Sequence, residues 1–260
     1  MSHALENLKA WVAGNEPVRS FPRRYGVEVV GAGKGGVGTS TMAALMALVG
    51  AARGERTLLI EAVPGGLPLL FGMQGEIAGI ADLVRPGVGP SELLHRVGEG
   101  LDLLPSGGLG DPRDLSSSGR TLLLRRCAEI YEQYDRVVVD GGASAASVMG
   151  ACEVGLQRLW IVTLPDRVAA AGAYALLKAV IGRWPTLPCS LVVNRADEEE
   201  GEAVRRVISD AAHSFLNAVP QGNVVIPPDP TLSRSVAKGV SLHDLSDGPA
   251  LRAARKLFDF

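Results

Sequence analysis

The segment from Gly33 to Ser40 constrains the fold of this chain more than any other part of its sequence. It reads Gly-Lys-Gly-Gly-Val-Gly-Thr-Ser, follows the apolar run Val27–Gly31 and leads into a segment with helical spacing, Thr39–Arg53. Glycines let the backbone turn tightly and direct successive amide hydrogens at one anion, and the N-terminus of the next helix adds partial positive charge. A strand, a glycine loop and a helix in this order predict a phosphate-binding loop.

Short apolar runs alternate with helix-length segments along the rest of the chain. The predicted strands are Val27–Gly31, Thr57–Glu61, Leu101–Leu104, Arg136–Asp140, Leu159–Thr163, Ser190–Val193 and Val224–Ile226. The predicted helices are Thr39–Arg53, Val168–Ile181, Gly201–Phe215 and Pro249–Phe258. Several strands are apolar throughout, which is typical of strands buried on both faces of a parallel sheet. The sequence therefore predicts an α/β fold with a doubly wound, mostly parallel sheet and helices on both faces.

The length of 260 residues suffices for one large domain and does not require two. We assign residues 26–260 to a single nucleotide-binding domain and residues 1–25 to a flexible N-terminal arm with one short helical candidate, Leu5–Ala13. The segment Pro249–Phe260 carries an apolar stripe suited to packing, so we predict that it forms the last helix of the fold. A short helix on a membrane surface is the alternative.

Charge and cysteine content exclude several classes of function. The 26 basic and 28 acidic residues give a net charge of −2, which argues against a protein that coats nucleic acid. Cys127, Cys152 and Cys189 lie far apart and lack metal-ligand spacing, so we predict a reduced, cytoplasmic protein without a zinc site. No run approaches the about 20 apolar residues of a membrane span, and Met1–Gly26 does not resemble a signal peptide. We therefore expect a soluble protein.

Two nucleotide-binding templates match the glycine loop in part. Gly31, Gly33 and Gly36 fit the dinucleotide fingerprint, and Glu61 ends the next strand, where an acid would hold a ribose. The P-loop template Gly-x-x-x-x-Gly-Lys-[Ser/Thr] also fits, except that Thr39 occupies the lysine position. The neighbouring hydroxyl groups can bind phosphate or magnesium, or cap the helix; they belong to Thr39, Ser40 and Thr41.

The whole loop resembles the deviant Walker A motif of the ParA/MinD ATPases, whose form is Gly-Lys-Gly-Gly-Val-Gly-Lys-Thr. Seven of the eight positions agree when Ser40 is counted for threonine. The resemblance continues beyond the loop. Leu58–Ala62 with Leu70–Gly72 is similar to the second strand and switch region of that family, and Asp140 is similar to its Walker B aspartate. Val192–Arg195 resembles the strand that carries the adenine-side asparagine. The fold implied is a P-loop NTPase of the SIMIBI type.

The branch within this superfamily is suggested by residues further along the chain. Ile226–Pro230 with Ser233–Val236 is similar to a loop and helix of MinD and, more closely, of the FlhG (FleN) branch of flagellar number regulators. The Gly-Gly-Val-Gly-Thr portion of the loop is also similar to BcsQ, a cellulose-synthesis accessory family. BcsQ-like and CpaE/TadZ-like pilus proteins are therefore kept as alternatives.

The resemblance implies a site for ATP and Mg²⁺. Ser40 and Asp140 are the implied magnesium partners. Lys34 is implied to reach the nucleotide of a dimer partner, and Glu61 to act as the catalytic acid near magnesium. The implied nucleotide contacts are Gly33, Lys34, Gly35, Gly36, Val37, Gly38, Thr39, Ser40, Thr41, Asn194, Arg195, Pro227, Pro228 and Asp229.

Two departures from the family pattern change the expected chemistry. Thr39 replaces the lysine that lies along the β- and γ-phosphates, and losing that charge-assisted contact costs about 1.5–3 kcal/mol of binding. Val63 replaces the acid that positions the attacking water, so the hydrolytic role is vacant.

We therefore predict a nucleotide-binding switch with weak or absent ATPase activity. The family resemblance implies a homodimer that docks on a partner protein in a polar or membrane-associated assembly, with the flagellum as the first candidate. The predicted location is cytoplasmic, and a peripheral position at the membrane or a cell pole is left open. A scaffold that binds no nucleotide is the alternative class of function.

Overall fold

The computed structural model describes residues 26–107, 115–152, 156–244 and 247–258. The predicted N-terminal arm, with its helical candidate Leu5–Ala13, lies outside the described residues. The strands are β1 (Gly26–Gly31), β2 (Thr57–Glu61), β3 (His95–Gly98), β4 (Leu101–Leu104), β5 (Arg136–Asp140), β6 (Arg158–Thr163), β7 (Cys189–Asn194) and β8 (Asn223–Ile226). The α-helices are α1 (Thr39–Ala52), α2 (Ser117–Tyr131), α3 (Ala145–Cys152), α4 (Arg167–Arg183), α5 (Glu198–Leu216), α6 (Pro230–Lys238) and α7 (Pro249–Ala254).

The strands form one sheet in the order β3-β4-β2-β5-β1-β6-β7-β8. Neighbouring strands pair in parallel, except that β3 is antiparallel to β4. The ends of the parallel strands therefore lie at two edges, which we call the amino edge and the carboxyl edge. Ligands of doubly wound sheets bind outside the carboxyl ends of the strands.

The central strands are buried on both faces because alternate residues pack into two different cores. In β5, Val137 and Val139 contribute to the core that α2, α3, α4 and α5 cover. Val138 contributes to the opposite core, which α1 and α7 cover together with part of α6. This arrangement confirms the prediction of a mostly parallel sheet with helices on both faces.

The sequence analysis missed β3, α2 and α3. β3 is a short edge strand without a buried residue, so it lacks the apolar signal that marked the others. α2 buries only four residues and its other residues are mostly polar, and α3 is a short helix made mostly of small residues. Amphipathic patterns this weak are hard to separate from loop segments.

Two helices begin earlier than predicted because an aspartate caps each of them. The Asp166 carboxylate accepts hydrogen bonds from the amides of Val168 and Ala169, and α4 begins at Arg167. Asp197 accepts a hydrogen bond from the Glu200 amide, and Glu200 bonds back to the Asp197 amide. This capping box starts α5 at Glu198.

The C-terminal segment packs into the fold, as predicted. α7 is followed by a 3-10 turn, Arg255–Phe258, and Ala254 and Leu257 are buried in the core beside α1. The ring of Phe258 lies between two guanidinium groups, at 5.2 Å from Arg53 and 4.1 Å from Arg136.

Within the described residues, none of the helices has both the length and the apolar character needed to cross a membrane.

Candidate functional site

The glycine loop connects β1 to α1 at the carboxyl edge and adopts left-handed backbone conformations. Gly36 has φ 78° and Gly38 has φ 95°, values that strongly favour glycine. A Cβ atom on Gly38 would also lie 2.5 Å from Nδ2 of Asn194, whereas a Cβ atom on Gly35 or Gly36 would meet no atom within 4 Å. One side of the loop is therefore packed against the protein, and the other side faces open space.

The first turn of α1 is arranged to receive an anion. Its N-cap residue is Gly38, which gives no side-chain cap. The hydroxyl groups of Thr39, Ser40 and Thr41 therefore do not cap α1 from its N-cap position. The first amide hydrogens of an α-helix have no partner within the helix, so Thr39, Ser40 and Thr41 present donors and hydroxyl groups at the positive end of the helix dipole.

Three other elements hold the loop in place. The Ala32 amide donates to the Gly142 carbonyl at 3.0 Å, and Nδ2 of Asn194 donates to the Val37 carbonyl at 2.8 Å. The backbone of Gly33 lies so close to α4 that its Cβ atom would stand 1.9 Å from the Gly172 carbonyl oxygen. The sequence analysis did not single out Gly172. The only signal for Gly172 is a glycine inside a helical pattern, which often marks a packing constraint.

Ser40 and Asp140, the predicted magnesium partners, lie in contact at the carboxyl edge. The Ser40 hydroxyl donates a hydrogen bond to the Asp140 carboxylate, and the Gly142 amide donates to Oδ1 of Asp140 at 3.0 Å. α3 begins at Ala145, so Asp140 is not the N-cap of that helix. Burial raises the pKa of Asp140, although the hydrogen bonds from Ser40 and Gly142 act in the opposite direction.

The chemistry of this pair fits Mg²⁺, which prefers oxygen ligands from one or two protein groups together with water and substrate phosphates. Among the described residues there is no cluster of three or more His, Cys, Asp or Glu side chains that could hold a metal ion alone. A magnesium ion here would therefore be held jointly by the protein, water and a phosphate ligand.

Glu61 is buried at the end of β2, and both of its carboxylate oxygens accept hydrogen bonds from the protein. Oε1 accepts from the amides of Gly65 at 3.1 Å and Leu67 at 2.8 Å. Oε2 accepts from the amide of Ser106 at 3.1 Å and from its hydroxyl at 2.7 Å. The implied role beside magnesium stays a prediction. Ser106 was missed in the sequence because a lone serine after a strand carries no recognisable signal.

Lys34 and Val63 are the two remaining residues that the family pattern singles out near the loop. Nζ of Lys34 lies 3.9 Å from Oδ2 of Asp166, and both side chains are more than a third exposed, so Lys34 is accessible from outside the chain. Val63 packs over Gly142, where a Cβ atom would come within 2.6 Å of the valine Cγ2. The apolar side chain of Val63 thus covers Gly142, two residues after Asp140.

A small cleft with a volume of about 180 Å³ extends from the loop toward α6 and α7. This volume is smaller than the about 300–1,000 Å³ that is typical of small-molecule sites. Of the predicted nucleotide contacts, the cleft brings together six residues, namely Gly38, Thr41, Asn194, Arg195, Pro227 and Asp229. Pro228 is not among its lining residues. Leu232 and Val236 of α6, which the sequence analysis did not assign to the site, form part of its apolar wall.

Asp229 connects the two helices that border this cleft. Its Oδ1 accepts hydrogen bonds from the amides of Thr231 and Leu232, both at 3.0 Å, and so caps α6. Its Oδ2 accepts from the Ala250 amide in α7 at 3.2 Å. The carboxylate therefore fixes the wall of the cleft through three backbone donors.

Comparison with known proteins relates this site to a family. The family model described as cellulose biosynthesis protein BcsQ matches residues 27–178, more than half of the chain. The chain is 28% identical to the septum site-determining protein MinD of Thermotoga maritima over 152 residues, which are 56% of this chain and 55% of that protein. It is 24% identical to the antiactivator FleN of Pseudomonas aeruginosa over 222 residues, which are 84% of this chain and 79% of FleN.

The fold is also found among solved structures. The structure of MinD from Pyrococcus horikoshii, determined with Mg-ADP, superimposes with a TM-score of 0.68. It covers 90% of this chain and 96% of the MinD chain at 18% sequence identity. The matched part spans only about half of the Thermotoga protein, whereas nearly the whole fold is shared with the archaeal structure.

Proposed function

The chain belongs to the BcsQ family within the ParA/MinD superfamily of P-loop ATPases, and from this premise we propose that it is a nucleotide-dependent switch for a cell-surface assembly. In this proposal it binds ATP with Mg²⁺, forms a homodimer and then docks on a protein partner. The resemblance to FlhG and the alternative of BcsQ were both noted in the sequence, and the family match favours BcsQ.

The observation that carries the proposal is the convergence of the glycine loop, the Ser40–Asp140 pair and the cleft at one edge of the sheet. The free amides of the loop and of the first turn of α1 suit phosphates. Ser40 and Asp140 supply oxygen atoms for magnesium. The cleft between Asn194 and α6 has an apolar wall, formed in part by Leu232 and Val236, on which the base of a nucleotide could pack.

Magnesium would neutralise phosphate charge when bound, and the remaining work falls to residues of this chain. Asn194 fixes the loop through Val37, so the phosphate cradle and the cleft are coupled by one hydrogen bond. Lys34, exposed at the loop, is placed to contact a ligand held by another copy of the chain. Thr39 supplies a hydroxyl where the family pattern has an ammonium group, which favours weaker binding.

We further propose that hydrolysis is slow or absent. A water that attacks a phosphate needs a side chain that orients it or accepts its proton. Val63 lies beside the Asp140 loop and offers neither function. Dimerisation would then depend mainly on nucleotide binding and release.

The assembly that this switch serves is proposed from the relatives. The match to the BcsQ family supports a role in cellulose synthesis, at the membrane where such a complex works. The similarity to FleN extends over more of the chain and supports flagellar regulation as the second candidate. Deletion of the gene separates them, since loss of cellulose with unchanged flagella supports the first, and an altered flagellar number supports the second.

The central test measures nucleotide binding and dimerisation in the same samples. Calorimetry with ATP and Mg²⁺ should give binding at micromolar to millimolar concentrations, and sedimentation should show a dimer with ATP. Lys34→Ala should weaken the ATP-dependent dimer by at least ten-fold while binding by the monomer changes less than three-fold. Arg167→Ala, a change at an exposed cation next to Asp166, is the matched control.

Three results would count against parts of this proposal. No binding signal at millimolar ATP would overturn it in favour of a scaffold. Equal losses of binding and dimerisation in Lys34→Ala would contradict the role of Lys34 across a dimer. Multiple turnovers of ATP by the wild type would show that hydrolysis is not impaired.

A further inference from the structure

Residues 62–67 form a loop between β2 and the 3-10 turn Pro68–Phe71, and they flank the phosphate side of the site. A Cβ atom on Gly65 would lie 3.6 Å from Oγ of Ser40 and 3.9 Å from Oε1 of Glu61. Val63 of the same loop packs over Gly142. Loops next to a terminal phosphate are often ordered by it and released when it is lost. The position of residues 62–67 would suit such a response.

We infer that Glu61 is a positioning residue that latches residues 62–67 in one conformation, whether the bound nucleotide carries two or three phosphates. The inference rests on the proposed nucleotide function and concerns how that site signals. Its consequence is that the presence of the terminal phosphate is not read through this loop.

The latch consists of the four hydrogen bonds to the Glu61 carboxylate. Two come from the loop itself, from the amides of Gly65 and Leu67, and two come from Ser106 after β4. Glu61 is 2% exposed and Leu67 is 0% exposed. Moving the loop away would strip donors from a buried carboxylate, and an unsatisfied buried charge is strongly unfavourable. The loop is therefore held by the protein alone.

The other side of the latch is also fixed. The carbonyl groups of Pro105 and Ser106 accept hydrogen bonds from the amides of Ile80 and Ala81, at 2.7 and 3.2 Å. Gly79 packs so tightly that its Cβ atom would stand 2.1 Å from the Pro105 carbonyl oxygen. Ser106 therefore donates to Glu61 from a segment that is itself held by hydrogen bonds and packing. The Glu61 carboxylate thus connects this segment after β4 to residues 62–67.

Hydrogen exchange of the intact chain tests the inference, with samples without nucleotide, with Mg-ADP and with Mg-AMPPNP. Peptides covering residues 33–42 report whether nucleotide is bound, and peptides covering residues 62–67 report on the loop. We expect either nucleotide to protect residues 33–42. Residues 62–67 should exchange slowly in all three samples, with rates that agree within about two-fold.

Variants then assign the effect to Glu61. In Ser106→Ala or Glu61→Gln, residues 62–67 should exchange at least ten-fold faster without nucleotide, and Mg-AMPPNP should slow them more than Mg-ADP does. Ser116→Ala is the matched control because it also removes a serine hydroxyl that forms a local hydrogen bond. The Ser116 hydroxyl accepts a hydrogen bond from the Gly119 amide at 3.2 Å and so caps α2. It should leave residues 62–67 unchanged.

Each outcome separates the latch from the function on which it rests. If neither nucleotide protects residues 33–42, the proposed function fails. If residues 33–42 respond and wild-type residues 62–67 become protected only with Mg-AMPPNP, the latch is wrong and the function stands. Unchanged exchange of residues 62–67 in both latch variants would likewise overturn the role of Glu61. The wild-type comparison decides even if a variant does not fold.

Discussion

The charged side chains at the two ends of β5 differ in their partners. At the amino edge, Asp135 and Arg136 are paired with other side chains of the protein. At the carboxyl edge, Asp140 lies beside a loop whose donors face outward. One strand of five residues thus carries a structural cluster at its start and the candidate ligand site at its end.

The amino-edge cluster is centred on Arg136. Its guanidinium binds Glu28 and Glu55, each at 2.6 Å, and stacks on the ring of Phe258. The Trp160 indole donates to the second oxygen of Glu28 at 3.0 Å. The cluster therefore ties β1, β5, β6, the turn after α1 and the C-terminal segment together.

The carboxyl edge shows the reverse arrangement. Asp140 is 1% exposed and lacks a cationic partner among the ion pairs of the described residues. Polar groups that are paired within the protein stabilise the fold. Polar groups that are kept available for a ligand lower the stability of the fold.

The largest expected effect comes from breaking the amino-edge cluster. Arg136→Ala should lower the free energy of unfolding by about 3–5 kcal/mol, because it leaves Glu28 and Glu55 partly buried without their partner. Nucleotide affinity of the remaining folded protein should change little. Urea denaturation and calorimetry measure the two quantities.

Arg56→Ala is the matched control at the same edge. Arg56 and Asp135 form an ion pair at 2.8 Å, but their side chains are 63% and 46% exposed, and exposed pairs of this kind contribute little to stability. Similar destabilisation by both variants would contradict a special role for Arg136. A large loss of nucleotide affinity in Arg136→Ala would show that the two edges are coupled.

A smaller effect is expected from adding charge at the carboxyl edge. Thr39→Lys should tighten ATP binding at least several-fold and by up to about 1.5–3 kcal/mol, because an ammonium group would gain charge-assisted contacts with phosphate. Calorimetry of the variant with Mg-ATP measures this change. The free energy of unfolding should not rise in parallel.

Val207→Lys separates a local contact from a general effect of charge. It adds the same charge at a position of α5 that is 64% exposed. Equal tightening in both variants, or an unchanged affinity in Thr39→Lys, would show that the loop does not cradle phosphate as proposed.

The smallest effect concerns the two aspartates of β5 and its preceding turn. Burial raises the pKa of Asp140, so the folded state holds this proton more tightly and loses stability as pH rises from 3.8 through the raised native value. Asp140→Asn should therefore raise the free energy of unfolding at pH 7 by about 0.5–2 kcal/mol while it weakens magnesium-dependent binding. Urea denaturation at pH 4 and pH 7 measures the stability change.

Asp135 provides the contrast in sign. Hydrogen bonds from Arg56 lower the pKa of Asp135 from 3.8 to about 2. Its contribution to stability is present above pH 3.8 and is lost as pH falls toward 2. Asp135→Asn should thus lower stability at pH 7 and have no effect on nucleotide binding. If both variants changed stability in the same direction, the comparison between the two ends of β5 would be wrong.

Much of the fold follows from sequence signals of unusual strength. The glycine loop fixed the position of β1 and α1, and uninterrupted apolar runs located the other central strands. β3, α2 and α3 escaped because their packing is one-sided or slight. Half of the site was also visible, since Ser40, Asp140 and Asn194 stand at strand or loop ends in a recognisable motif.

The remaining site residues depend on contacts that no local pattern encodes. Ser106 meets Glu61 from a position 45 residues away in the chain, and Gly172 matters only because α4 passes directly over Gly33. Asp229 was predicted to face the ligand, yet its carboxylate contacts three backbone amides of two helices. These contacts join residues that are far apart in the chain, and they form because the helices that connect the parallel strands bring remote segments together.

By itself, the sequence determined that this chain builds a glycine loop between a strand and a helix of a parallel sheet, because glycine geometry, helix polarity and strand burial act over a few neighbouring residues. Tertiary structure alone decided how the loop is supported. It placed Asn194 and Gly172 against the loop, latched Glu61 to Ser106, and separated the paired charges at one end of β5 from the ligand site at the other. Those outcomes depend on distances between remote segments, which only the folded chain defines.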